Sequence, residues 1–408
     1  MNRVEYKQES KMAGKDSLNK SLILIMSIAS GLTVANLYYV QPLLAEIAAY
    51  FHIGLGYSGL MATFTQVGDA LGLLLILPMA DIWEKRKLIL TMLSGAFIFL
   101  LILFFSPTMS IALFASFGIG FCSVVPQLII PFAVQLSSPK ERGKVIGSIM
   151  SGLLIGILLS RVVSGFIGKY MVWKNIYAIA ACCMLLLWLV LRFALPQRYG
   201  DSNIKYTESL KSMSSLLKQF PVLRESSIIG FMGMLAFSAF WTALTFLLQS
   251  SNYHMGADVA GLFGLVGVVG ALFSPLAGKL SDKRGPRFTV GINIVVIIAA
   301  YVVFAFWGFK VSGLIIGVIL LDLGIQSCNV SNQTRIHQLS DEARSRVTSI
   351  YMVFYLLGGS LGSLLGALSF QHFGWIGVCF VGFLSQFIAG TVHIRGSGHL
   401  LEIQMSRH

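Results

Sequence analysis

The feature that most constrains this chain is a series of twelve apolar segments, each long enough to cross a lipid bilayer. A transmembrane helix needs about 20 predominantly apolar residues, and it satisfies its own backbone hydrogen bonds where lipid offers none. The short alternating segments of a transmembrane barrel do not occur in the sequence. We therefore predict an all-α polytopic membrane protein with twelve transmembrane helices. The predicted spans are 21–45, 57–80, 87–106, 109–136, 143–168, 173–194, 225–248, 258–280, 288–307, 311–333, 343–368 and 373–394.

The charged residues are distributed as they would be to orient these spans. Only 12% of the 408 residues are charged, about half the share in soluble domains, and the net charge is +13. Of the 30 Lys and Arg residues, 26 fall in the two tails and in the alternate loops that share one side of the membrane. This pattern predicts a cytoplasmic (inner) membrane protein with both termini in the cytoplasm. It explains the positive charge without nucleic acid, which we do not expect as a partner.

The longest polar interval, 195–224, divides the spans six and six, and the two halves repeat. Asp81 aligns with Asp282 at an offset of 201, and Arg142 aligns with Arg344 at an offset of 202. Duplicated six-span halves are typical of secondary transporters, whose site lies near the midplane between them. The prediction is two pseudo-symmetric six-helix bundles, 1–194 and 225–408, joined by a cytoplasmic central loop. Apolar residues recur at helical spacing in that loop, which fits either a surface helix or a partly ordered linker.

The loops between spans carry a family resemblance. The segment "GKLSDKRGPR" (278–287) resembles the loop motif of the major facilitator superfamily, and the segment 81–87 resembles a degenerate copy of it. The first span, "NLYYVQPLL" (36–44), and the run that begins at Asp322 resemble bacterial drug/proton antiporters and metabolite-efflux members. The resemblance implies the major facilitator fold, with the first, fourth, seventh and tenth spans around a central cavity. Two antiporter features are missing, since the fourth span has no arginine and the fifth has no Gly-Pro pair.

The paired loop motifs allow two interpretations. An aspartate at a helix end beside cations can form a charge-assisted network that latches the cytoplasmic face. Alternatively, the cations serve only to orient the spans. The motif residues are Asp81, Lys85, Arg86, Gly278, Asp282, Lys283, Gly285 and Arg287.

Polar residues inside the spans follow helical faces. In the tenth span Asp322, Gln326, Asn329 and Gln333 are spaced i, i+4, i+7 and i+11, which places them on one face. Similar stripes occur in the seventh and fourth spans. Such a stripe either lines a cavity or bonds neighbouring helices, and we favour the cavity for the tenth span. The candidates for the substrate cavity are Asn36, Tyr39, Gln127, Trp241, Thr242, Thr245, Gln326 and Asn329.

Glycines repeat at spacings of three or four in several other spans. Small residues at these spacings let helices approach closely, so we predict tight helix packing along them. The glycines are Gly68 and Gly72; Gly152 and Gly156; Gly261, Gly264, Gly267 and Gly270; and Gly358, Gly362 and Gly366.

Three charged residues lie at membrane depth: Asp69, Arg161 and Asp322. A charge at a helix centre costs about 2.5–3.5 kcal/mol on insertion scales, so each one needs a partner or water. Asp322 has three open roles, as a proton carrier, as an ion pair with Arg161, or as a contact with the substrate. Asp69 lies beside Gly68 and Gly72, which favours a structural role on a packing face.

Together these features predict a secondary transporter that moves a small organic solute by alternating access, and not an enzyme. The glycine runs lack the Lys-Ser/Thr of a nucleotide-binding loop, and the histidines match no catalytic pattern. The five cysteines lie within spans without metal-ligand spacing, so we expect no metal and no cofactor. Proton-coupled efflux is the first interpretation, by resemblance; uptake or facilitated diffusion of a metabolite is the alternative. The expected partners are the solute, protons and membrane lipid, and we expect a monomer.

Overall fold

The computed structural model describes residues 20–138, 141–197, 206–272, 284–339 and 344–405, and in these ranges every regular element is a helix. The predicted all-α class is therefore confirmed. Nine of the described helices are long and apolar enough to cross a membrane, and one of these, Arg346–Gly396, is long enough for two spans. Two shorter apolar helices, Lys20–Ala35 and Ala257–Gly267, complete a set that is consistent with the twelve predicted spans.

The helices before the central loop are numbered α1 to α9. Short 3-10 turns at Gln41–Leu43 and Leu77–Asp81 lie between some of them. The helices are α1 (Lys20–Ala35), α2 (Leu44–Phe51), α3 (Leu55–Ser58), α4 (Leu60–Ile76), α5 (Lys85–Phe104), α6 (Met109–Cys122), α7 (Val125–Leu136), α8 (Arg142–Tyr170) and α9 (Asn175–Ala194).

The remaining helices are numbered α10 to α15. They are α10 (Tyr206–Gln219), α11 (Pro221–Gln249), α12 (Ala257–Leu272), α13 (Pro286–Trp307), α14 (Val311–His337) and α15 (Arg344–Met405). The last of them contains the eleventh and twelfth spans, which meet at Gly374, where φ is 61°. A positive φ is readily adopted only by glycine, so this residue allows the chain to change direction between the two spans.

Two of the predicted spans are not continuous helices, and in each a proline lies just after the interruption. The first span ends its regular helix at Ala35, and the chain passes through a 3-10 turn that contains Pro42 before α2 begins. The fourth span is interrupted between α6 and α7, and Pro126 lies in the first turn of α7. Proline has no backbone N–H and its ring clashes with the preceding turn, so it is favoured in the first turn of a helix, where that N–H has no partner to lose. A second proline, Pro131, lies inside α7; transmembrane helices tolerate such a residue.

Helices pack closely at the predicted glycines, and equivalent pairs in the two halves do so alike. A Cβ atom at Gly156 of the fifth span would collide with the backbone of Gly31 in the first span. A Cβ atom at Gly362 of the eleventh span would collide with the backbone of Leu235 in the seventh. The first and fifth spans are thus packed as the seventh and eleventh are, and the close packing predicted at these glycines is confirmed.

The second span packs against the fourth, and the eighth packs against the tenth in the equivalent way. A Cβ atom at Gly120 would meet the backbone of Thr65, and one at Gly270 would meet the carbonyl oxygen of Ile319 at 2.5 Å. These contacts repeat the same helix pairing in both halves, as a duplicated chain requires.

A hydrogen bond between the ends of two spans occurs in both halves, and its residues differ by the same 201-residue offset that relates the halves in sequence. The guanidinium of Arg86, at the start of the third span, donates to the carbonyl oxygen of Arg192 at the end of the sixth. Arg287, at the start of the ninth span, donates to the carbonyl oxygen of His393 at the end of the twelfth, at 2.6 Å. The donor and the acceptor are each displaced by 201 residues between the two halves, so the structure repeats a contact of the duplicated loop motif as well as its sequence.

The central loop contains a helix, α10, which confirms the helical spacing in its sequence. The apolar face of α10 packs against the protein. Met213 and Leu216 belong to a buried cluster that also includes Ile336, Val347 and Tyr351 from the tenth and eleventh spans. Because these residues lie at the ends of the spans, α10 covers that end of the helices.

Contacts between the two sequence halves include two seams between long spans. At the first seam, a Cβ atom at Gly59 of the second span would collide with Ala367 of the eleventh. At the second, the Cβ position of Gly168 in the fifth span lies 3.4 Å from the Cβ of Ala257 in the eighth. Beside it Lys169 and Asp258 form an ion pair at 2.7 Å. The fifth and eighth spans are therefore in close contact at this end, and the cavity described next begins where they separate.

Candidate functional site

A cavity of about 280 Å³ lies between the fifth, eighth and tenth spans, with further walls from the first, seventh and eleventh. Most of its lining is aliphatic or aromatic, and the fifth span supplies the largest share. The lining residues with polar groups are Tyr38, Ser151, Arg161, Asp322, Gln326 and Tyr355. An apolar cavity with a few convergent polar groups is the usual form of a small-molecule site.

Arg161 is the only cation in the described lining of this cavity, and only 4% of its surface is exposed. Its Nε atom donates a 3.0 Å hydrogen bond to the side-chain oxygen of Gln41. The guanidinium carbon lies 3.9 Å from the centre of the Trp241 ring and 5.1 Å from that of Tyr38. Aromatic faces attract a cation through their quadrupole, so these rings stabilise a buried guanidinium without neutralising it. One terminal nitrogen, Nη2, has no hydrogen-bond partner among the described residues.

Asp322 is the acidic residue of the same cavity and is 5% exposed. Its carboxylate packs against α12 at Gly267, where a Cβ atom would lie 3.2 Å from the carboxyl carbon. One carboxyl oxygen, Oδ2, has no hydrogen-bond partner among the residues that the structure describes. A buried acid and a buried base therefore share one cavity, and each has an unused polar atom.

Arg161 and Asp322 are close to each other but do not form an ion pair. The alkyl stem of Arg161 passes over Gly264, whose Cβ position is 3.3 Å from the Cβ and Cδ atoms of the arginine. Gly264 and Gly267 are three residues apart on α12, a rise of about 4.5 Å. The ion pairs found within 4 Å among the described residues do not include one between these two side chains.

The predicted cavity residues of the seventh and tenth spans have different positions. Gln326 lines the cavity, and Trp241 reaches it by stacking on Arg161. Thr245 donates to the carbonyl oxygen of Gln41 at 3.0 Å, which links the seventh span to the turn in the first. Thr242 is fully buried, and its hydroxyl has no partner in the described part of the chain. Asn329 accepts hydrogen bonds from Tyr351 and Gln333 and is not part of the described lining.

Three other predicted residues also lie outside the cavity lining that the structure describes. Asn36 contacts the sulfur of Met184 at 3.5 Å, which joins the first span to the sixth. Tyr39 is buried in the hydrophobic core, whereas its neighbour Tyr38 faces the cavity. The fourth-span residue Gln127 is not among the lining residues, and that span contributes none to the described lining.

Asp69 is buried on the packing face between the second and fourth spans. It is 2% exposed, and a Cβ atom at Gly120 would lie 2.9 Å from its backbone nitrogen. It is absent from the described lining of the cavity. This position agrees with the structural role that its neighbouring glycines suggested.

The loop-motif residues are only partly covered by the structure. Gly278, Asp282 and Lys283 lie outside the described residues, and only the backbone of Asp81 is described. Lys85 is buried and donates to the side-chain oxygen of Gln135 in the fourth span.

The second copy of the motif ends in a charge cluster. Gly285 has a φ of 87°, a conformation that favours glycine, and α13 begins directly after it. Arg287 donates to a carboxylate oxygen of Glu225 at 3.2 Å, and Arg335 donates to the same oxygen at 2.8 Å. The described motif cations therefore bond to groups within their own half, and the cytoplasmic latch remains a prediction.

The contribution of the fifth span was missed by sequence reasoning. Ser151, Leu154, Ile155 and Leu158 line the cavity at the spacing i, i+3, i+4 and i+7, on the face that leads to Arg161. Three of these four residues are aliphatic, so a search for polar stripes passes over them. Gln41, which positions Arg161, was also missed, because it lies in a turn rather than on a helix.

Comparison with known proteins agrees with this architecture. The family model described as "Major Facilitator Superfamily" matches residues 26–339. A protein of Escherichia coli (strain K12) described as a putative uncharacterized transporter, YgaY, is 38% identical over 365 residues, covering 90% of this chain and 93% of its own. A probable sugar efflux transporter of Helicobacter pylori (strain J99) is 24% identical over 374 residues, covering 88% of this chain and 91% of its own.

Among solved structures, the chain resembles a bacterial homolog of the human lysosomal transporter Spinster in an inward-facing, unoccupied conformation. The TM-score is 0.76 at 15% identity, covering 95% of this chain and 99% of that one, which establishes similarity of fold. The fold and the family match are those of a multi-pass membrane transporter. The chain belongs to the Major Facilitator Superfamily.

Proposed function

We propose that this protein is a secondary active transporter that exports a small organic solute across the cytoplasmic membrane in exchange for protons. The observation that carries the proposal is the Asp322 carboxylate, which is buried in the cavity and has an oxygen without a partner in the described chain. A carboxyl group can take up and release a proton, and ionisable residues at membrane depth commonly mark proton pathways. The cavity offers such a group at the place where a solute would bind.

Alternating access is proposed as a rocking of the bundles 1–194 and 225–408 around this cavity. The seam between the fifth and eighth spans supports this mechanism, because the cavity lies beside it and the contacts at Gly168 and Lys169 close one end. Opening toward that end requires the ion pair between Lys169 and Asp258 to separate. We place both termini in the cytoplasm, from the distribution of Lys and Arg, and we propose that the monomer is the working unit.

Export is proposed from the resemblance to efflux members, which the Helicobacter relative's description supports. Uptake by symport uses the same cavity and the same carboxylate and differs only in the relative direction of the two fluxes. The test of function must therefore report direction as well as coupling.

The test is proton flux in liposomes that contain the purified protein and a pH-reporting dye. A chemically diverse panel of solutes is added outside, with protein-free liposomes as the control for passive movement of weak acids and bases. For exchange, we expect a transported solute to make the lumen more alkaline as protons leave. Acidification of the lumen would indicate symport, and solute flux without proton movement would indicate a facilitator.

The role of Asp322 is tested in the same assay by Asp322→Asn. We expect this variant to lose solute-dependent proton movement, because the amide cannot carry a proton at this position. Asp69→Asn makes the same change at an equally buried acid outside the described cavity lining, so it is the matched control. Proton movement by Asp322→Asn equal to that of the wild type would disprove the proton-carrying role.

A further inference from the structure

We infer that the solute is a small zwitterion, whose anionic group binds Arg161 and whose cationic group binds Asp322, with an apolar side group against the fifth span. This inference rests on the transport function proposed above and specifies the chemistry of the solute. It follows from the unused polar atoms of the two charged residues, their separation, and the composition and size of the cavity.

The arginine end of the cavity is arranged to receive an anionic group. Gln41 occupies the Nε donor of Arg161, and the rings of Trp241 and Tyr38 lie against the guanidinium. The Nη2 donor is buried without a partner among the described residues. A guanidinium binds carboxylates and phosphates through short charge-assisted hydrogen bonds, and a carboxylate is the smaller of these groups. The arginine is held in place by its neighbours, so little side-chain freedom is lost when such a group binds.

The aspartate end is arranged to receive a hydrogen-bond donor with positive charge. The Oδ2 atom of Asp322 is buried and has no donor within the described part of the chain. An ammonium group supplies three donors and the opposite charge. Its binding would displace the proton that Asp322 carries, and that proton would leave to the aqueous phase. Competition between the ammonium group and the proton for one carboxylate gives the exchange that the proposed function requires.

The two ends make no direct ion pair and are close enough for one small molecule to reach both. No direct ion pair joins Arg161 to Asp322, although both side chains lie against α12 within one turn, at Gly264 and Gly267. A solute with a single charge would leave the other protein group buried and unpaired. A site built for two polar contacts discriminates strongly against a ligand that makes only one of them.

The remaining walls favour a small solute with an apolar surface. Leu154, Ile155 and Leu158 form an aliphatic surface, and Met234 and Phe237 face the cavity from the seventh span. The volume of about 280 Å³ is near the lower limit of roughly 300–1,000 Å³ for small-molecule pockets. A molecule the size of one amino acid with an apolar side chain matches both properties.

The experiment is a binding assay on the purified full-length protein with triads of matched ligands. Each triad has one hydrocarbon body with an acid only, an amine only, or both groups. Three sizes are used: propanoate, ethylamine and alanine; 4-methylpentanoate, 3-methylbutylamine and leucine; and 3-phenylpropanoate, 2-phenylethylamine and phenylalanine. Binding is followed by the concentration dependence of the thermal unfolding midpoint. For at least one body size, we expect the zwitterion to bind at least about tenfold more tightly than either single-charge analogue.

Two variants then test which residue binds which group. In Arg161→Gln, we expect the zwitterion to bind no more tightly than the amine, because the partner of the acid group is gone. The zwitterion should still bind more tightly than the acid, because Asp322 still binds the ammonium group. Asp322→Asn should show the opposite pattern, and Asp69→Asn should bind like the wild type. Arg161→Lys is used if the glutamine variant does not fold; it keeps the positive charge but loses the planar donor group, so we expect the preference for the zwitterion over the amine to be reduced rather than lost.

Two outcomes overturn the inference. One is a single-charge analogue that binds as tightly as the zwitterion in every triad, and the other is the absence of saturable zwitterion binding at all three sizes. Other outcomes distinguish a failure of the proposed function from a failure of the inferred solute class. Zwitterion binding without coupled proton flux would remove the exchange mechanism and leave the inferred solute class intact. Proton flux driven only by neutral or purely cationic solutes would keep the exchange mechanism and remove the solute class.

Discussion

Arg161 and Asp322 come from opposite halves of the sequence and lie against adjacent positions of one helix without forming an ion pair. The arginine stem covers Gly264, and the aspartate carboxylate lies at Gly267. A glycine at each position leaves room for the opposing side chain. At these two positions the eighth span places no side chain in the cavity. Its backbone is the surface against which the arginine and the aspartate pack.

We predict that Arg161→Lys lowers the apparent affinity for the transported solute by roughly tenfold. Lysine retains the charge but loses the planar group that bonds Gln41 and stacks on Trp241. The measurement is the concentration dependence of solute uptake into liposomes. Arg142→Lys makes the same change at an exposed position near the start of the same helix and should leave the affinity unchanged. An unchanged affinity in Arg161→Lys would show that the guanidinium does not contact the solute.

We predict that Gly156→Ala destabilises the protein, whereas Gly147→Ala does not. The added methyl group at position 156 meets the backbone of Gly31, which cannot move without separating the first and fifth spans. At position 147 of the same helix, no atom beyond the chain neighbours and the local helix backbone lies within 4 Å of the new methyl group. Alanine is favoured over glycine in a helix by about 1 kcal/mol, so this variant should be neutral or slightly more stable. Thermal unfolding of the purified proteins measures the difference, and equal midpoints would contradict the packing.

We predict that a disulfide between Gly168→Cys and Ala257→Cys blocks transport. The Cβ positions are 3.4 Å apart, close to the separation of roughly 3.5–4.5 Å found in disulfides. The bond would hold the fifth and eighth spans together at the end where the proposed alternating access requires them to separate. Transport by the oxidised double variant should be lost and should return on reduction.

Each single variant of that pair is a control for the substitution itself, and the native cysteines are replaced in all of them. The Gly168→Cys variant requires a small shift of the Leu43 side chain, whose end lies beside position 168. Full transport by the cross-linked protein would show that this seam does not open during the cycle.

We predict that Glu225→Gln lowers the stability of the second half substantially. The Glu225 carboxylate accepts from Arg287 and Arg335, and the side chains of Glu225 and Arg335 are 8% and 5% exposed. Removing one partner of a buried ion pair costs about 3–5 kcal/mol, because the other charge stays buried and uncompensated. The thermal midpoint should fall by roughly 5 °C or more. Glu84→Gln, at a partly exposed acid in the third span's N-cap, is the control and should have little effect.

The cluster at Glu225 also shows how the two halves have diverged. The bond from Arg287 to the backbone of His393 has its counterpart in the bond from Arg86 to Arg192. The Glu225 carboxylate has no counterpart in the first half, because position 225 corresponds there to apolar residues near Ile23. Equivalent backbone geometry therefore lies beside the buried Glu225 charge network in one half, whereas in the other half the described contacts include the hydrogen bond from Lys85 to the amide of Gln135.

The sequence was sufficient for most of the fold. Long apolar segments define the helices, because a chain in lipid must satisfy its backbone hydrogen bonds locally. The spacing of small residues was sufficient to identify where helices touch, as at Gly156 and Gly362, since only glycine permits backbone contact there. The breaks in the first and fourth spans follow prolines and could also have been anticipated.

The candidate site was only partly predictable. The sequence singled out Asp322, Gln326 and Arg161, because polar groups at membrane depth are costly and therefore rarely incidental. It also proposed Asn329 and Gln127, which the structure places outside the described lining. Spacing along one helix identifies a shared face, but it does not say which neighbour that face meets.

The sequence by itself determined that this chain spans a membrane repeatedly, that its halves are duplicated, and that an acid and a base lie within the apolar interior. Only the tertiary structure decided that these two charges share a cavity and remain unpaired there. The rotation of each helix about its axis is set by packing against its neighbours, here by glycines on α12 that meet the fifth and tenth spans. Those contacts lie far apart along the chain, so no local pattern reveals them.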